Sequence, residues 1–109
     1  MDDKIYINTA EGLSRVGGSM VLYKKLLGKF TDGHYLDELD GFLTAGDMEG
    51  ATRSAHTIKG VAANLGLTAL TAAALKLETF LKNGEIHPES LSELRAVYEI
   101  TERALAQLD

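Results

Sequence analysis

Residues 48–66 read MEGATRSAHTIKGVAANLG, and their apolar pattern decides the fold. Apolar side chains recur in this segment at intervals of three and four residues, the period of one face of an α-helix. These residues are Met48, Ala51, Ala55, Ile58, Ala62 and Leu65. Asp47 is placed to cap the first turn, and Gly66 is placed to end the helix. The segment is therefore predicted to be an amphipathic helix with one buried face.

A short helix is predicted ahead of this segment, near the N-terminus. Asn8 or Thr9 is placed to cap it, and Glu11 is placed for a capping box with Asn8. The pair Gly17-Gly18 is expected to end it.

A long helix is predicted between this short helix and Gly46. Ser19 suits its N-cap, and its apolar residues follow the helical period. They are Met20, Tyr23, Leu27, Phe30, Leu36, Leu39 and Leu43. Because glycine inside a helix costs about 1 kcal/mol relative to alanine, we expect a kink near Asp32-Gly33.

Two further helices are predicted after Gly66. Thr68 suits the N-cap of the first, and Asn83-Gly84 is expected to end it. Pro88 suits the first turn of the last helix. The residues expected to face inward are Leu67, Leu70, Ala74, Leu77 and Leu81, then Leu91, Leu94, Tyr98, Leu105 and Leu108.

These segments make one short helix and four long ones with short connections, which force neighbouring helices to run antiparallel. No strand-like alternation is sustained along the chain. The predicted fold is all-α, an up-down-up-down four-helix bundle with a short extra N-terminal helix. With 109 residues, the chain is expected to be a single domain spanning residues 1–109.

The composition argues against several classes of function. Cysteine is absent, so disulfides and thiolate chemistry are excluded. The net charge of −5 argues against nucleic-acid binding, which needs a basic surface. No apolar run approaches the roughly 20 residues that span a bilayer, and the charged start Met1-Asp2-Asp3-Lys4 leads into no signal-peptide core. We therefore expect a cytoplasmic protein without a membrane partner.

His56 is the candidate nucleophile. It lies just off the apolar stripe, so we expect its ring at the edge of the bundle. A neutral imidazole is a competent nucleophile near pH 7, and Lys59, one turn on, can neutralise phosphoryl oxygens. Gly60 and Ala63 leave room beside the ring for a partner. His34 and His87 are expected to be solvated, and the three histidines lack metal-ligand spacing, so no metal site is expected.

The motif around His56 resembles the signature of histidine phosphotransfer (HPt) domains, A-H-x-[LI]-K-G-x-x-x-x-[LI]-G, which reads here as residues 55–66. Residues 11–18 and 22–30 resemble the first two helices of that family, and Leu77-Glu78 matches a common pair in it. The resemblance implies that His56 accepts a phosphoryl group on Nε2. It further implies that Lys59 assists electrostatically and that Glu78 orients the other imidazole nitrogen.

The resemblance also implies that Gly60 gives a partner clearance to approach His56, and Ala63 and Asn64 are expected to complete this approach surface, although many members of the family carry serines where this chain has Ala62 and Ala63. Asn64 is suited either to contact a docked phosphoryl group or to act as a local cap. Glu78 is suited either to its orienting role or to be an ordinary solvated glutamate. Leu75 stands where chemotaxis kinases often carry a second histidine, which favours a relay module over a chemotaxis kinase domain.

We therefore expect a monomeric phosphorelay intermediate. We do not expect an enzyme, because the sequence has no glycine-rich ATP-binding segment with which the chain could phosphorylate itself. Its expected partners are response-regulator receiver domains, a hybrid histidine kinase, or both. It needs no cofactor of its own, and Mg²⁺ is expected on the receiver. Two alternatives stay open: a phosphoacceptor domain excised from a larger histidine kinase, and a bundle that binds receivers without phosphotransfer.

Overall fold

The computed structural model describes residues 6–107, and within that range the chain forms six α-helices. They are α1 (Thr9–Arg15), α2 (Met20–Phe30), α3 (His34–Thr44), α4 (Met48–Asn64), α5 (Thr68–Lys82) and α6 (Pro88–Ala106). The all-α bundle predicted from the sequence is confirmed. None of the helices in the described range is long and apolar enough to cross a membrane.

Three of the predicted N-caps are confirmed. The side chains of Asn8, Ser19 and Asp47 each accept a hydrogen bond from a backbone N–H in the first turn of their helix. The cap predicted at Thr68 is wrong, because Thr68 is already the first residue of α5. Leu67 occupies the N-cap position there, with its side chain fully buried and making no cap hydrogen bond.

The capping box predicted between Asn8 and Glu11 takes a different form. The backbone N–H of Asn8 donates to the carbonyl oxygen of Gly66 at 2.7 Å, so it is not free for the Glu11 carboxylate. Glu11 accepts a hydrogen bond from the Asn8 side-chain amide instead, at 3.3 Å. The start of α1 is thereby attached to the turn that follows α4.

The long second helix of the prediction is two helices, α2 and α3. The chain leaves α2 at Thr31, and Gly33 has φ +96°, a left-handed conformation that ends the helical path. The glycine was expected to kink the helix, and a positive φ breaks it outright. The Thr31 hydroxyl donates to the Leu27 carbonyl at 2.9 Å and so satisfies part of the end of α2.

Helix α4 is the central element of the bundle, because it packs against both α3 and α5, and α6 packs in turn on α5. The connections 45–47, 65–67 and 83–87 are short, so successive helices run antiparallel. Helix α6 also contacts α2 and α3. Its Tyr98 hydroxyl donates to the carbonyl of Phe30 at the end of α2, and its Arg95 forms an ion pair with Asp40 of α3.

The apolar stripe of residues 48–65 forms the middle of the core. Ala51, Ala55, Ile58 and Ala62 are fully buried, and Leu65 nearly so. The inward positions predicted on α5 are also buried. Leu94 and Tyr98 of α6 are buried as predicted, Leu91 and Leu105 are partly buried, and Leu108 lies outside the described residues.

The end of α4 is held by α1 and α2. The Tyr23 hydroxyl donates to the Leu65 carbonyl at 2.6 Å, and both groups are buried. Gly12 of α1 lies against this bond, where a Cβ atom would come within 2.4 Å of the Leu65 oxygen. Only glycine fits at that position without displacing α1, so the N-terminal helix is fixed onto the end of α4.

Candidate functional site

His56 lies in the middle of α4 with its ring mostly in solvent. Its neighbours Ala55 and Ile58 are fully buried, whereas the His56 side chain is 65% exposed. The core therefore fixes the backbone beneath the ring, because the helix cannot rotate without exposing those two residues. One edge of the imidazole faces the next helix, and the other edge is open.

The covered edge of the imidazole faces Glu78 of α5. The His56 Nδ1 lies 2.8 Å from the Glu78 Oε2. The Glu78 side chain is only 2% exposed, so its interpretation as an ordinary solvated glutamate is wrong. Glu78 follows the buried Leu77 on α5, and the tight packing of α4 against α5 covers it.

Two lysines also contact the Glu78 carboxylate. Lys59 Nζ lies 2.8 Å from Oε1, and Lys82 Nζ lies 3.5 Å from Oε2. The Lys59 contact is an ion pair without good hydrogen-bond alignment. Burial acts to raise the pKa of Glu78, but Lys59, His56 and Lys82 outweigh it and leave this pKa below its ordinary value.

The ionised carboxylate determines which imidazole nitrogen carries the proton. A carboxylate without its proton can only accept hydrogen bonds, so the hydrogen between it and His56 must lie on Nδ1. In a neutral imidazole, Nε2 then carries the free lone pair and points to the exposed side. The geometry thus selects the tautomer of the neutral ring and orients its Nε2 toward solvent.

Lys59 lies closer to the core than a surface lysine. Its side chain is 26% exposed, and its ammonium group is held by Glu78. Lys59 was expected beside an incoming phosphoryl group, and its ion pair with Glu78 was not expected from the sequence. Lys59 remains one turn from His56 on the same helix, so its charge is near the imidazole in either position.

A strip of small and polar residues runs along α4 from His56. We call His56, Gly60, Ala63 and Asn64 the His56 strip. Gly60 and Asn64 are exposed and Ala63 is half-buried. A Cβ atom added at Gly60 would meet nothing within 4 Å, so no packing contact requires glycine there. Asn64 is the last residue of α4, and the caps of that helix in the described residues are Asp47 and Leu65, so the alternative role of Asn64 as a local cap of α4 is wrong.

Lys82 is the site residue that the sequence analysis missed. It lies at the end of α5, four residues after Glu78, with a 64% exposed side chain. The spacing of a glutamate four residues before a lysine on one helix was the available signal. The spacing alone does not identify Lys82 as a site residue, because such pairs are usually solvent-exposed, whereas this one includes a buried carboxylate.

The other two histidines lie away from this site. His34 is exposed beside Asp32, close to the solvated histidine that was expected. The expectation for His87 is wrong, because it caps α6 and its ring stacks on Phe80 with centroids 3.9 Å apart. In the described part of the chain, no group of three or more histidine, aspartate or glutamate side chains is arranged to hold a metal ion.

Neither the curated proteins nor the solved structures gave a match. The family model for the Hpt domain matches residues 31–107, which covers the site and four of the six helices. The chain therefore belongs to the Hpt domain family.

Proposed function

We propose that this chain is a phosphorelay intermediate in the cytoplasm that accepts a phosphoryl group on Nε2 of His56 and passes it on. Hpt domains carry out histidine phosphotransfer in phosphorelays. The observation that carries the proposal for His56 is the hydrogen bond from its Nδ1 to the buried Glu78 carboxylate. In the neutral ring this bond keeps the proton on Nδ1, so the lone pair is on Nε2 at the exposed edge, where an in-line attack on phosphorus requires it.

The reaction is a direct exchange between two carriers. The lone pair of Nε2 attacks the phosphorus of an aspartyl phosphate on a receiver domain, the P–N bond forms, and the P–O bond to the aspartate breaks. The electron pair of that bond returns to the aspartate as a free carboxylate. The imidazole keeps its Nδ1 proton and becomes positively charged, so the Glu78 carboxylate stabilises the product ring.

Each neighbour of His56 has a role in this proposal. Lys59 and Lys82 set a positive field beside the ring, which favours the oxygens of the phosphoryl group as it arrives. Gly60, Ala63 and Asn64 form the surface over which the receiver approaches. The Mg²⁺ ion of the reaction belongs to the receiver, and this chain contributes a positioned nucleophile.

The test is transfer from phosphorylated receiver domains. Receivers of the source genome are loaded with acetyl phosphate and mixed with the wild-type chain, and acid-labile phosphate on the chain is measured. We expect the wild-type chain to take up phosphate from at least one receiver and His56→Gln to take up none. His34→Gln is the matched control and should behave as wild type, since His34 is an exposed histidine on another helix.

Two results would contradict the proposal. Uptake of acid-labile phosphate by His56→Gln would mean that another residue is the acceptor. If the wild-type chain binds receivers but takes up phosphate from none of them, the chain is a receiver-binding bundle without phosphotransfer.

A further inference from the structure

His56 lines a surface pocket of about 430 Å³ between α4 and α5. Arg53 of α4 and Lys82 of α5 line the same pocket, together with the Glu78 carboxylate that binds the covered edge of the ring. The Arg53 side chain is 66% exposed, and that of Lys82 is nearly as exposed. Two accessible cations therefore lie in one pocket with the nucleophile, and the reaction described above uses only Lys82.

Arg53 and Lys59 lie on opposite sides of His56. Each is three residues from His56 along α4, and three residues turn a helix by about 300°, so the two are displaced by about 60° to either side of the ring. Lys59 lies on the side that faces α5, because its ammonium group contacts Oε1 of Glu78 at 2.8 Å. Arg53 therefore lies on the open side of the ring, away from Glu78.

The imidazole leans toward the turn that contains Arg53. Side chains of an α-helix tilt toward its N-terminus, so the ring of His56 lies over the preceding turn of α4. Its Nδ1 faces Glu78, which leaves Nε2 on the exposed edge. A phosphoryl group on Nε2 is therefore within reach of a long side chain at position 53.

Arg53 is only weakly held by its present partner. Its Nη1 lies 3.4 Å from Oε1 of Glu49, one turn earlier, and both side chains are exposed. Exposed ion pairs at this spacing contribute little. A phosphoryl group offers about two negative charges and three acceptor oxygens, which makes it a stronger partner for a guanidinium than one solvated carboxylate. Arg53 is thus available to the phosphoryl group, whereas Lys59 is held by the buried Glu78.

We propose that Arg53 is a phosphoryl-binding residue, whose guanidinium leaves Glu49 and contacts the oxygens of the phosphoryl group on Nε2 of His56. This inference rests on the proposed function and adds a residue that lies outside the motif at residues 55–66. The phosphoryl group is then held between Arg53 on the open side of the ring and Lys82 on the side of α5. Glu49 competes with the phosphoryl group for Arg53.

The experiment uses phosphoramidate, a small phosphoryl donor that needs no receiver. Nε2 of His56 attacks its phosphorus, the new P–N bond forms, and the protonated nitrogen of the donor leaves as ammonia with the electron pair of the broken bond. The rate at which acid-labile phosphate appears on the full chain is measured for the wild type, Arg53→Gln and Arg53→Lys. We expect Arg53→Gln to be about tenfold slower, since it loses charge-assisted hydrogen bonds to the phosphoryl group. Arg53→Lys should fall between the two, because lysine keeps the charge but not the paired N–H donors.

Arg103 of α6 provides the matched control. It is also an exposed arginine that pairs with a glutamate four residues earlier, in this case Glu99. Arg103→Gln should be phosphorylated at the wild-type rate. Circular dichroism should give the same helix content and similar melting temperatures for all the variants, because exposed charges contribute little to stability.

The competition by Glu49 is tested with a variant that should gain activity. Glu49→Gln releases Arg53, so its rate should be about twofold to threefold above that of the wild type, the size expected for an exposed ion pair. Glu99→Gln, which releases Arg103 in the same way, should leave the rate unchanged. In Glu49→Gln/Arg53→Gln the gain should disappear, whereas a gain that persists would come from the lost negative charge alone and would contradict the competition.

Phosphorus NMR of the phosphorylated chain gives a readout that a purely structural role of Arg53 would not change. A neighbouring guanidinium favours the fully ionised phosphoryl group. The phosphoryl group should therefore take up a proton at a higher pH in Arg53→Gln than in the wild type. Arg103→Gln should leave this titration unchanged.

The outcomes separate this inference from the proposed function. If the wild type is phosphorylated but Arg53→Gln keeps both its rate and its phosphorus titration, or Arg103→Gln loses as much, the role of Arg53 is wrong and the function stands. If the wild type takes up phosphate from neither phosphoramidate nor receivers, the proposed function is wrong, and inorganic phosphate becomes the probe. Movement of the Arg53 side-chain N–H signal on titration with phosphate, without movement of the Arg103 signal, then supports an anion site at Arg53. Equal movement of the two signals, or none, overturns it.

Discussion

At the scale of single residues, the site depends on the buried carboxylate of Glu78. Replacing it with glutamine keeps an oxygen that can accept from Nδ1 of His56 but removes the negative charge. We expect Glu78→Gln to slow phosphotransfer about tenfold to a hundredfold, the usual effect of losing an orienting partner. Glu78→Leu should slow it further, because it also removes the acceptor.

Nitrogen NMR of His56 distinguishes orientation from a general structural effect. In the wild type and in Glu78→Gln the proton should lie on Nδ1, and in Glu78→Leu a large share should move to Nε2. Glu93→Gln, which alters an exposed carboxylate of α6, is the control and should leave the rate and the tautomer unchanged. A normal transfer rate in Glu78→Leu would show that the hydrogen bond has no role in the reaction.

The lowered pKa of Glu78 predicts how the free energy of unfolding changes in acid. This pKa is lowered in the folded chain despite burial, because Lys59, His56 and Lys82 favour the carboxylate. Its contribution to stability is therefore present above the ordinary glutamate pKa of about 4.3 and is lost as the pH falls through the lower folded value. Urea unfolding between about pH 7 and pH 3 should show a smaller loss of stability for Glu78→Gln than for the wild type. Equal losses would contradict this.

The residues of the site could be predicted from the sequence, but not all of their contacts. His56, Lys59 and Gly60 form a local motif on one helix, where spacing alone determines which side chains are neighbours. The burial of Glu78 and its ion pair with Lys59 depend on how α5 packs on α4, which no local pattern determines. Lys82 was missed for the same reason, since its importance comes from the buried partner.

At the scale of the helices, Gly60 is a site where function and stability oppose each other. Its position in α4 is exposed and free of contacts, so Gly60→Ala should raise the free energy of unfolding by up to about 1 kcal/mol. Gly60→Gln should also fold well but slow phosphotransfer by obstructing the receiver.

Gly41 in α3 is the matched control, an exposed helical glycine that also has nothing within 4 Å of an added Cβ. Gly41→Gln should leave transfer unchanged, and equal transfer by both glutamine variants would refute the obstruction.

His87 holds the start of α6. Its Nδ1 accepts a hydrogen bond from the Ser90 N–H at 3.2 Å, and its ring stacks on Phe80. We expect His87→Ala to cost about 2 kcal/mol, from a lost cap of about 1 kcal/mol and a lost stacking contact of similar size. His87→Asn should recover the cap and about half of the loss. Thermal unfolding of the two variants and the wild type measures both changes. No loss in His87→Ala would mean that the cap is not important for stability.

The helix boundaries show what local patterns can predict. The caps at Ser19 and Asp47 follow from residue type, because a hydroxyl or carboxylate at that position has one obvious donor within reach. The break between α2 and α3 was expected only as a kink, since a glycine inside a periodic pattern is compatible with either. The structure has a break, because Gly33 adopts a left-handed φ, and α3 then packs on α4.

At the scale of the whole molecule, two buried tyrosines connect α2 to the rest of the bundle. The Tyr23 hydroxyl donates to the Leu65 carbonyl at the end of α4, and the Tyr98 hydroxyl of α6 donates to the Phe30 carbonyl at the end of α2. These bonds join segments far apart in sequence, so they form only when the bundle closes. Burial raises the pKa of both tyrosines, and negative charge from Asp32 adds to the effect at Tyr98.

The raised pKa values predict that the bundle loses stability in alkali. A tyrosine whose pKa is raised in the folded chain contributes its full stabilisation below the ordinary tyrosine pKa of about 10. Above that pH the unfolded chain loses the proton first, so this contribution is lost as the pH rises. Tyr23→Phe/Tyr98→Phe should be less stable than the wild type at pH 7 by about 1 kcal/mol for each lost hydrogen bond. Between about pH 9 and pH 11 the difference in stability should narrow, because phenylalanine cannot ionise.

Urea unfolding across this pH range measures the difference. Tyr35→Phe, a change to a half-buried tyrosine, is the control and should follow the wild type. Because lysine ionisation is common to all these proteins, a constant difference between the double variant and the wild type would mean that Tyr23 and Tyr98 do not limit stability in alkali.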